Sequence, residues 1–244
     1  MDYAAGESHA AHSHPVDTLT LVCGGSLVER AGSAEARAGA LSVVVKPAGT
    51  EHSDRFGSAG ARTFQVVLDG VVSRSIEEGD TGRLGWKWIH GGPAARAMLE
   101  FAQVLKDANG RAEEAGLALF GVLGAVTEGG LGRDDQPPRW LRRVRERIDD
   151  DPARPIRVWR LAQTAGVHPV SLTRAFRRHH GVSVTSWIHR RRVERAAGLL
   201  SGGSVPIARV ALQSGFADQS HLTRIFRRAT GLTPAAYRRF ATAS

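Results

Sequence analysis

The spacing of hydrophobic residues changes along the chain. Between about residues 17 and 75 they come in short β-rich runs, Leu19–Val22, Leu41–Val45, Phe64–Leu68 and Val71–Ser75, separated by glycine-rich turns. That texture predicts a compact antiparallel β unit. From Pro93 the period becomes helical. Met98, Phe101, Ala102 and Leu105 share one face of a helix predicted over Ala94–Ala108, and Asn109-Gly110 breaks it. Ala115, Ala118, Leu119, Val122 and Val126 form the stripe of a second helix. The first is read as packing on the β unit, the second as the better surface for a homodimer. Glycines, a charged pair and a double proline between Glu128 and Pro138 mark a linker. Beyond it everything is helical, with helices predicted near 139–149, 156–165, 169–179, 184–201, 206–214, 219–229 and 234–240. The division is thus 1–127, a linker at 128–138, and 139–244.

The helical half repeats itself. The segment from Val158 to Gly166 matches Ile207 to Gly215 at a shift of 49, and Leu172 to Gly181 matches Leu222 to Gly231 at a shift of 50. The second copy therefore carries one extra turn residue. Ser183 and Thr233 stand at matching helix N-caps, and Trp187 aligns with Tyr237. Each copy has the marks of a helix-turn-helix. Ala162 and Ala211 allow close helix crossing, and Gly166 and Gly215 end the first helix where a positive φ is needed. In the second helix, Leu172, Ala175 and Phe176, and likewise Leu222, Ile225 and Phe226, form core stripes. Val170, Thr173, Arg174 and Arg177 point outward in one copy, and Ser220, Thr223, Arg224 and Arg227 in the other. Gln219 and Ser220 lie in the first turn, within reach of base edges. Arg174 and Arg224 suit guanine, while Arg177 and Arg227 suit phosphate. The joining helix, eighteen residues at ~1.5 Å each, spans ~27 Å, a rigid spacer between two major-groove readers.

Charge sharpens this reading. The 244 residues carry a net +9, but from Arg139 onward there are 21 arginines, no lysine and 6 acids, a net +15 against −6 for the rest. A positive half beside a negative one points to a nucleic-acid surface. A GC-rich genome accounts for arginine over lysine but not for the asymmetry. No run reaches the ~20 apolar residues of a membrane span, and the first residues lack the basic-then-apolar pattern of a secretory signal, so a cytoplasmic protein is expected. The single cysteine, Cys23, sits in an apolar run and is read as a buried structural thiol.

The helical half resembles the AraC/XylS family of transcription regulators. The resemblance rests on the stretch from Arg192 to Leu200, on Ile207 to Ala211, on Gly215 through Gln219 to Arg228, and on Gly231-Leu-Thr-Pro-Ala-Ala-Tyr237-Arg. It implies DNA contacts at Val170, Thr173 and Arg174 in the first recognition helix and at Gln219, Ser220, Thr223 and Arg224 in the second. Pro169-Val170 departs from the pattern, since neither side chain hydrogen-bonds, and so implies apolar reading there. The N-terminal half resembles the cupin-type sensor domains of such regulators, through His12-Ser-His14, Gly24-Gly25 and the stretch from Gly39 to His52. The fold class expected is therefore α+β: a cupin-like β-barrel with following helices, then an all-α tandem helix-turn-helix domain.

In metal-binding cupins three histidines and a glutamate hold a divalent metal. His12, His14 and His52 match the histidines, but no glutamate has the usual spacing. Asp17 is the nearest acid and comes early, and Phe56 stands where asparagine is usual. These histidines either line an effector pocket or hold a metal; no cofactor is otherwise expected. The resemblance implies double-stranded DNA, a small-molecule effector and RNA polymerase as partners, and no catalysis. Two rivals remain, a metal-dependent cupin enzyme with a DNA-binding tail and a nonspecific architectural DNA binder. A methyl-accepting repair sensor would need a cysteine cluster that Cys23 alone does not supply.

Overall fold

The structure, a computed structural model, describes residues 1–68, 85–107, 112–128 and 137–242. The strand expected at Val71–Ser75, the Asn109-Gly110 break and most of the linker lie outside them. The N-terminal strands are β1 (Asp2–Tyr3), β2 (Ser8–His12), β3 (Asp17–Ala31), β4 (Ala34–Gly39), β5 (Ser42–Lys46), β6 (His52–Leu68) and β7 (Lys87–His90). Every ladder is antiparallel, in the order β1-β6-β3-β5-β7, with β2 also on β6 and β4 on β3. Among the described residues no ladder joins β7 back to β1 or β2.

The apolar runs gave only one end of each of the two longest strands. Leu19–Val22 is part of a 15-residue β3, and Phe64–Leu68 ends a 17-residue β6. Their remaining lengths carry glycine, serine and arginine on an open face, which reads as turn in the sequence although the pleat continues. Near Gly24-Gly25 the β3–β6 register shifts twice, and such bulges bend a strand.

Period-two alternation gives the sheet two different faces. Leu19, Leu21 and Cys23 of β3, Val43 and Val45 of β5, and Leu68 of β6 join a core with the helices. Thr20 of β3, Val44 and Lys46 of β5, and Asp54, Phe56, Thr63 and Gln65 of β6 line a cavity instead. The Cys23 thiol is buried, which pushes its pKa up to about 12 and keeps it a neutral packing group.

The helices are α1 (Gly92–Asp107), α2 (Ala112–Glu128), α3 (Arg139–Asp150), α4 (Val158–Thr164), α5 (Pro169–His180), α6 (Val184–Ser201), α7 (Ile207–Gln213), α8 (Gln219–Thr230) and α9 (Pro234–Thr242). Each predicted helix is present, with ends moved by at most two residues. They divide between two cores. The smaller joins Leu141, Val144 and Ile148 of α3, Leu161 and Ala162 of α4, Leu172 and Phe176 of α5, and Val184 and Ile188 of α6. The larger runs from the β sheet through α1 and α2 into the second helix-turn-helix, taking in Val193, Ala196, Ala197 and Leu200 of α6, Phe226 of α8 and Tyr237 of α9. Helix α6 thus contributes its first half to one core and its second half to the other.

The β sheet and the second unit meet closely. A Cβ on Gly24 would lie 2.5 Å from the Ser201 Cβ, so only glycine admits the end of α6 against β3. The Tyr237 hydroxyl donates to the Cys23 carbonyl at 2.6 Å. Arg62 of β6 donates to the Ala241 carbonyl, and the Lys106 ammonium sits 4.6 Å from the centre of the Phe240 ring. Beside the first unit, His90 shares a hydrogen bond of 2.9 Å with Ser42. Burial, with Arg190 and Arg191 nearby, takes the His90 pKa down to about 4, so the ring is neutral at pH 7.

Candidate functional site

The two helix-turn-helix units are alike down to single hydrogen bonds. Gly166 and Gly215 have φ of +69° and +83°, the conformation glycine adopts freely. In each turn the following residue donates back to the small alanine, Val167 to the Ala162 carbonyl and Phe216 to that of Ala211. Ala162 and Ala211 are fully buried, as close helix crossing requires. The extra turn residue precedes Asp218, which caps α8 by accepting from the His221 N–H at 2.7 Å. In the first unit His168 is the cap, its Nδ1 accepting from the Val170 N–H at 3.3 Å, a longer bond. Ser183 caps α6 through the Ser186 N–H, and Thr233 is bonded by the Ala236 N–H in the matching place.

Each recognition helix buries one stripe and exposes the other. Leu172 and Phe176 in α5, and Leu222 and Phe226 in α8, are fully buried. Val170, Thr173, Arg174 and Arg177 are exposed in α5, as are Gln219, Ser220, Arg224 and Arg227 in α8, with Thr223 half-buried. The threonine hydroxyls turn inward: Thr173 donates to the Pro169 carbonyl at 2.9 Å and Thr223 to that of Gln219 at 2.8 Å. They therefore present methyls and oxygen lone pairs, and no free donor, to an approaching base. On α8 the predicted residues line one shallow surface, joined by Arg228, which the sequence reading did not single out. Its position four residues after Arg224, on the same helix face, was the signal available.

The three histidines also come together. β2 pairs with β6 so that His12 lies directly opposite His52. The ring centroids are 4.4 Å apart for His12 and His52, 5.1 Å for His12 and His14, and 5.2 Å for His14 and His52. His14 lies just beyond β2, and burial is the main cause holding its pKa below the usual imidazole value. His12 and His14 stand at a cavity of about 270 Å³ whose walls also include Tyr3, His9, Glu29, Lys46, Asp54 and Trp88, none of them foreseen. These residues sit alone in their strands, and only the sheet register assembles them. Phe56 lines the same cavity with its ring stacked on Tyr3 at 4.0 Å. Asp17 does not join it: its carboxylate accepts from the Ala48 N–H at 2.6 Å and clamps the loop after β5.

Inside the cavity wall, Lys46 Nζ lies 2.9 Å from Glu29 Oε2 and 3.2 Å from His52 Nε2. Trp86 donates to Glu29 Oε1 at 2.6 Å. Asp54 Oδ1, Thr63 Oγ1 and Trp88 Nε1 are buried without a hydrogen-bond partner. Unpaired buried polar atoms are costly, and several converging on one cavity mark a place for a polar guest.

Residues 161–239 match the family profile described as a helix-turn-helix domain. The arabinose operon regulatory protein of Escherichia coli strain K12 is 38% identical over 78 residues, which are 32% of this chain and 27% of that protein. The regulator RipA of Corynebacterium glutamicum is 38% identical over 100 residues, 41% of this chain and 30% of that protein. The chain thus spans less than a third of the length of either relative. Among solved structures, ToxT of Vibrio cholerae strain SCE256 aligns over 100% of this chain and 94% of its own at 16% identity, with a TM-score of 0.41. The matched profile covers both helix-turn-helix units, and each relative aligns to a stretch of comparable length. Residues 161–239 of the helical half are thus a helix-turn-helix domain, similar in sequence to the matched stretches of these regulators.

Proposed function

We propose that the protein is a sequence-specific DNA-binding transcription regulator. Residues 139–244 read a promoter element, residues 1–127 form a cupin-like sensor for a small molecule, and residues 128–138 join the two. The observation that carries this is the paired exposed stripe, Val170 to Arg177 on α5 and Gln219 to Arg227 on α8, in a half of the chain with net charge +15. Helix α6 packs in both cores and fixes how the two stripes are set relative to each other. The chain acts in the cytoplasm with RNA polymerase as its eventual partner, and it is not an enzyme.

Arginine–phosphate contacts make such binding fall steeply with salt. On a site selected from genomic fragments, Arg224→Ala is expected to cost about 1–3 kcal/mol and to relax preference at one base position. Arg227→Ala should weaken all sequences alike. Fluorescence anisotropy against selected and random duplexes decides the matter. If Arg224→Ala binds both as tightly as the unaltered chain, α8 does not read DNA.

The protein also self-associates through α2. Its Val122, Leu123 and Val126 join the larger core, yet Leu117 and Phe120 are 68% and 71% exposed. A second copy covers them in this reading. Phe120→Glu is then expected to turn a dimer into a monomer in sedimentation velocity; a monomeric unaltered chain would remove this part of the reading.

A further inference from the structure

We propose that the seam between the β sheet and the first helix-turn-helix binds a small phosphorylated metabolite, whose phosphoryl group is taken by Arg37, Arg145 and Arg195. A cavity of about 580 Å³ lies there, and it shares no residue with the one beside the histidines. Strands β4, β5 and β7 form one side, through Arg37, Ser42 and His90, and α3 and α6 form the other. Its size is that of a small-molecule site.

The charges around it do not balance. Five guanidiniums and three carboxylates line it, which leaves a net +2. Glu194 is held by both Arg190 and Arg191, the first at 3.3 Å. Asp149 is held by Arg191 at 3.1 Å and accepts from Trp187 Nε1 at 2.9 Å. Those two carboxylates are thus taken, and the third, Asp150, is exposed. Three arginines, one each from β4, α3 and α6, are left without a close acid. Arg145 is 3.9 Å from the shared Asp149. Arg37 is 3.9 Å from Glu35, which pairs with Arg30 at 2.6 Å instead. Arg195 donates Nε to a neutral acceptor, the Gln213 carbonyl, at 2.8 Å. His90, neutral at pH 7, adds no charge.

A second observation points to an oxyanion independently. Arg145 Nε and Arg191 Nε are buried and, among the described residues, have no hydrogen-bond partner. The Arg191 Nε is near Asp149, but its N–H is not directed at the carboxylate. Buried donors without acceptors are costly, and here both belong to a wall with surplus positive charge. A phosphoryl group brings three terminal oxygens and nearly two negative charges at pH 7, which answers guanidiniums arriving from three elements. A carboxylate brings two oxygens in one plane and a single charge. The cavity is larger than a bare phosphate ion, so an organic body fits against Trp187 and Ser42. Strand β5 packs in the larger core and α3 in the smaller. A ligand at this seam therefore ties the two cores together and fixes the first recognition helix relative to the sheet.

Calorimetric titration of the full chain with sodium pyrophosphate tests the site, without DNA or divalent cations and at constant ionic strength. The unaltered chain is expected to bind one pyrophosphate saturably. Arg37→Gln changes a side chain that is 83% exposed and leaves the core intact. It and Arg145→Gln should each weaken binding about tenfold or more, the worth of a charge-assisted hydrogen bond. Arg224→Ala/Arg227→Ala, on the α8 stripe, should bind pyrophosphate as tightly as the unaltered chain. The proposal is overturned by an absence of saturable binding, by unchanged affinity in either glutamine variant, or by loss of binding in the α8 variant, which would put the anion on the DNA-reading surface. No DNA enters the titration, so the regulator reading stands or falls separately.

Discussion

A Tyr237→Ala variant is expected to lose about 3–5 kcal/mol of unfolding free energy, the range for deleting a large aromatic from a packed core. Tyr237 is fully buried and meets Phe226 edge-on at a centroid distance of 5.3 Å. Its hydroxyl does more than fill space. The β3–β6 register skips at Cys23, between the Val22 and Gly24 pairs, and the Cys23 carbonyl receives the Tyr237 hydrogen bond there. One side chain from α9 therefore completes a bulge more than two hundred residues earlier. Tyr237→Phe isolates that hydrogen bond and should cost about 1–3 kcal/mol, because a buried carbonyl is left unpaired. Urea denaturation followed by far-UV circular dichroism measures both. A loss below about 1 kcal/mol for Tyr237→Ala would mean that the sheet and the second helix-turn-helix do not share a core, contrary to the packing of Leu21, Cys23, Leu200 and Tyr237 in one cluster.

That shared core is what the sequence reading could not reach. Helix α6 was legible to the residue at Val184–Ser201, because Ser183 at its start and Gly202 at its end are local signals on either side of a periodic stripe. The recognition helices were legible for the same reason, and the internal repeat tied one to the other. Tyr237 aligns with Trp187, yet the two side chains are used differently. Trp187 is half-buried and donates to Asp149 of its own unit, whereas Tyr237 reaches across to a strand. Nothing in the local pattern around Tyr237 encodes that partner. At and beside the cavity, His12, His14 and His52 were found through a spacing resemblance, but Glu29, Lys46 and Asp54 were not. A charged residue inside a strand of otherwise ordinary alternation looks like a solvated edge until the folded sheet brings it to a counterion, as it brings Lys46 to Glu29.

The uneven division of cores leads to the second large effect. Phe176→Ala should cost about 3–5 kcal/mol and should destabilise the first helix-turn-helix alone. Phe176 is fully buried in a cluster that contains only residues of α3, α4, α5 and the first half of α6, with partly buried neighbours between Trp140 and Trp187. No β-strand residue belongs to that cluster, so its loss leaves Leu19, Leu21, Val43 and the second unit packed as before. Tryptophan positions make the experiment direct. Trp140, Trp159 and Trp187 lie in the first unit, and the remaining two, Trp86 and Trp88, lie by the β sheet. Fluorescence quenching should therefore weight the first unit, while far-UV circular dichroism reports every helix and strand. In Phe176→Ala the fluorescence transition is expected to move to lower urea and separate from the main circular-dichroism transition. The same variant should retain weak DNA binding that still depends on Arg224, because α8 keeps its packing. Coincident transitions shifted together by the full amount would show instead that α6 couples both cores into one cooperative unit, so that a helix-turn-helix cannot loosen without the sheet.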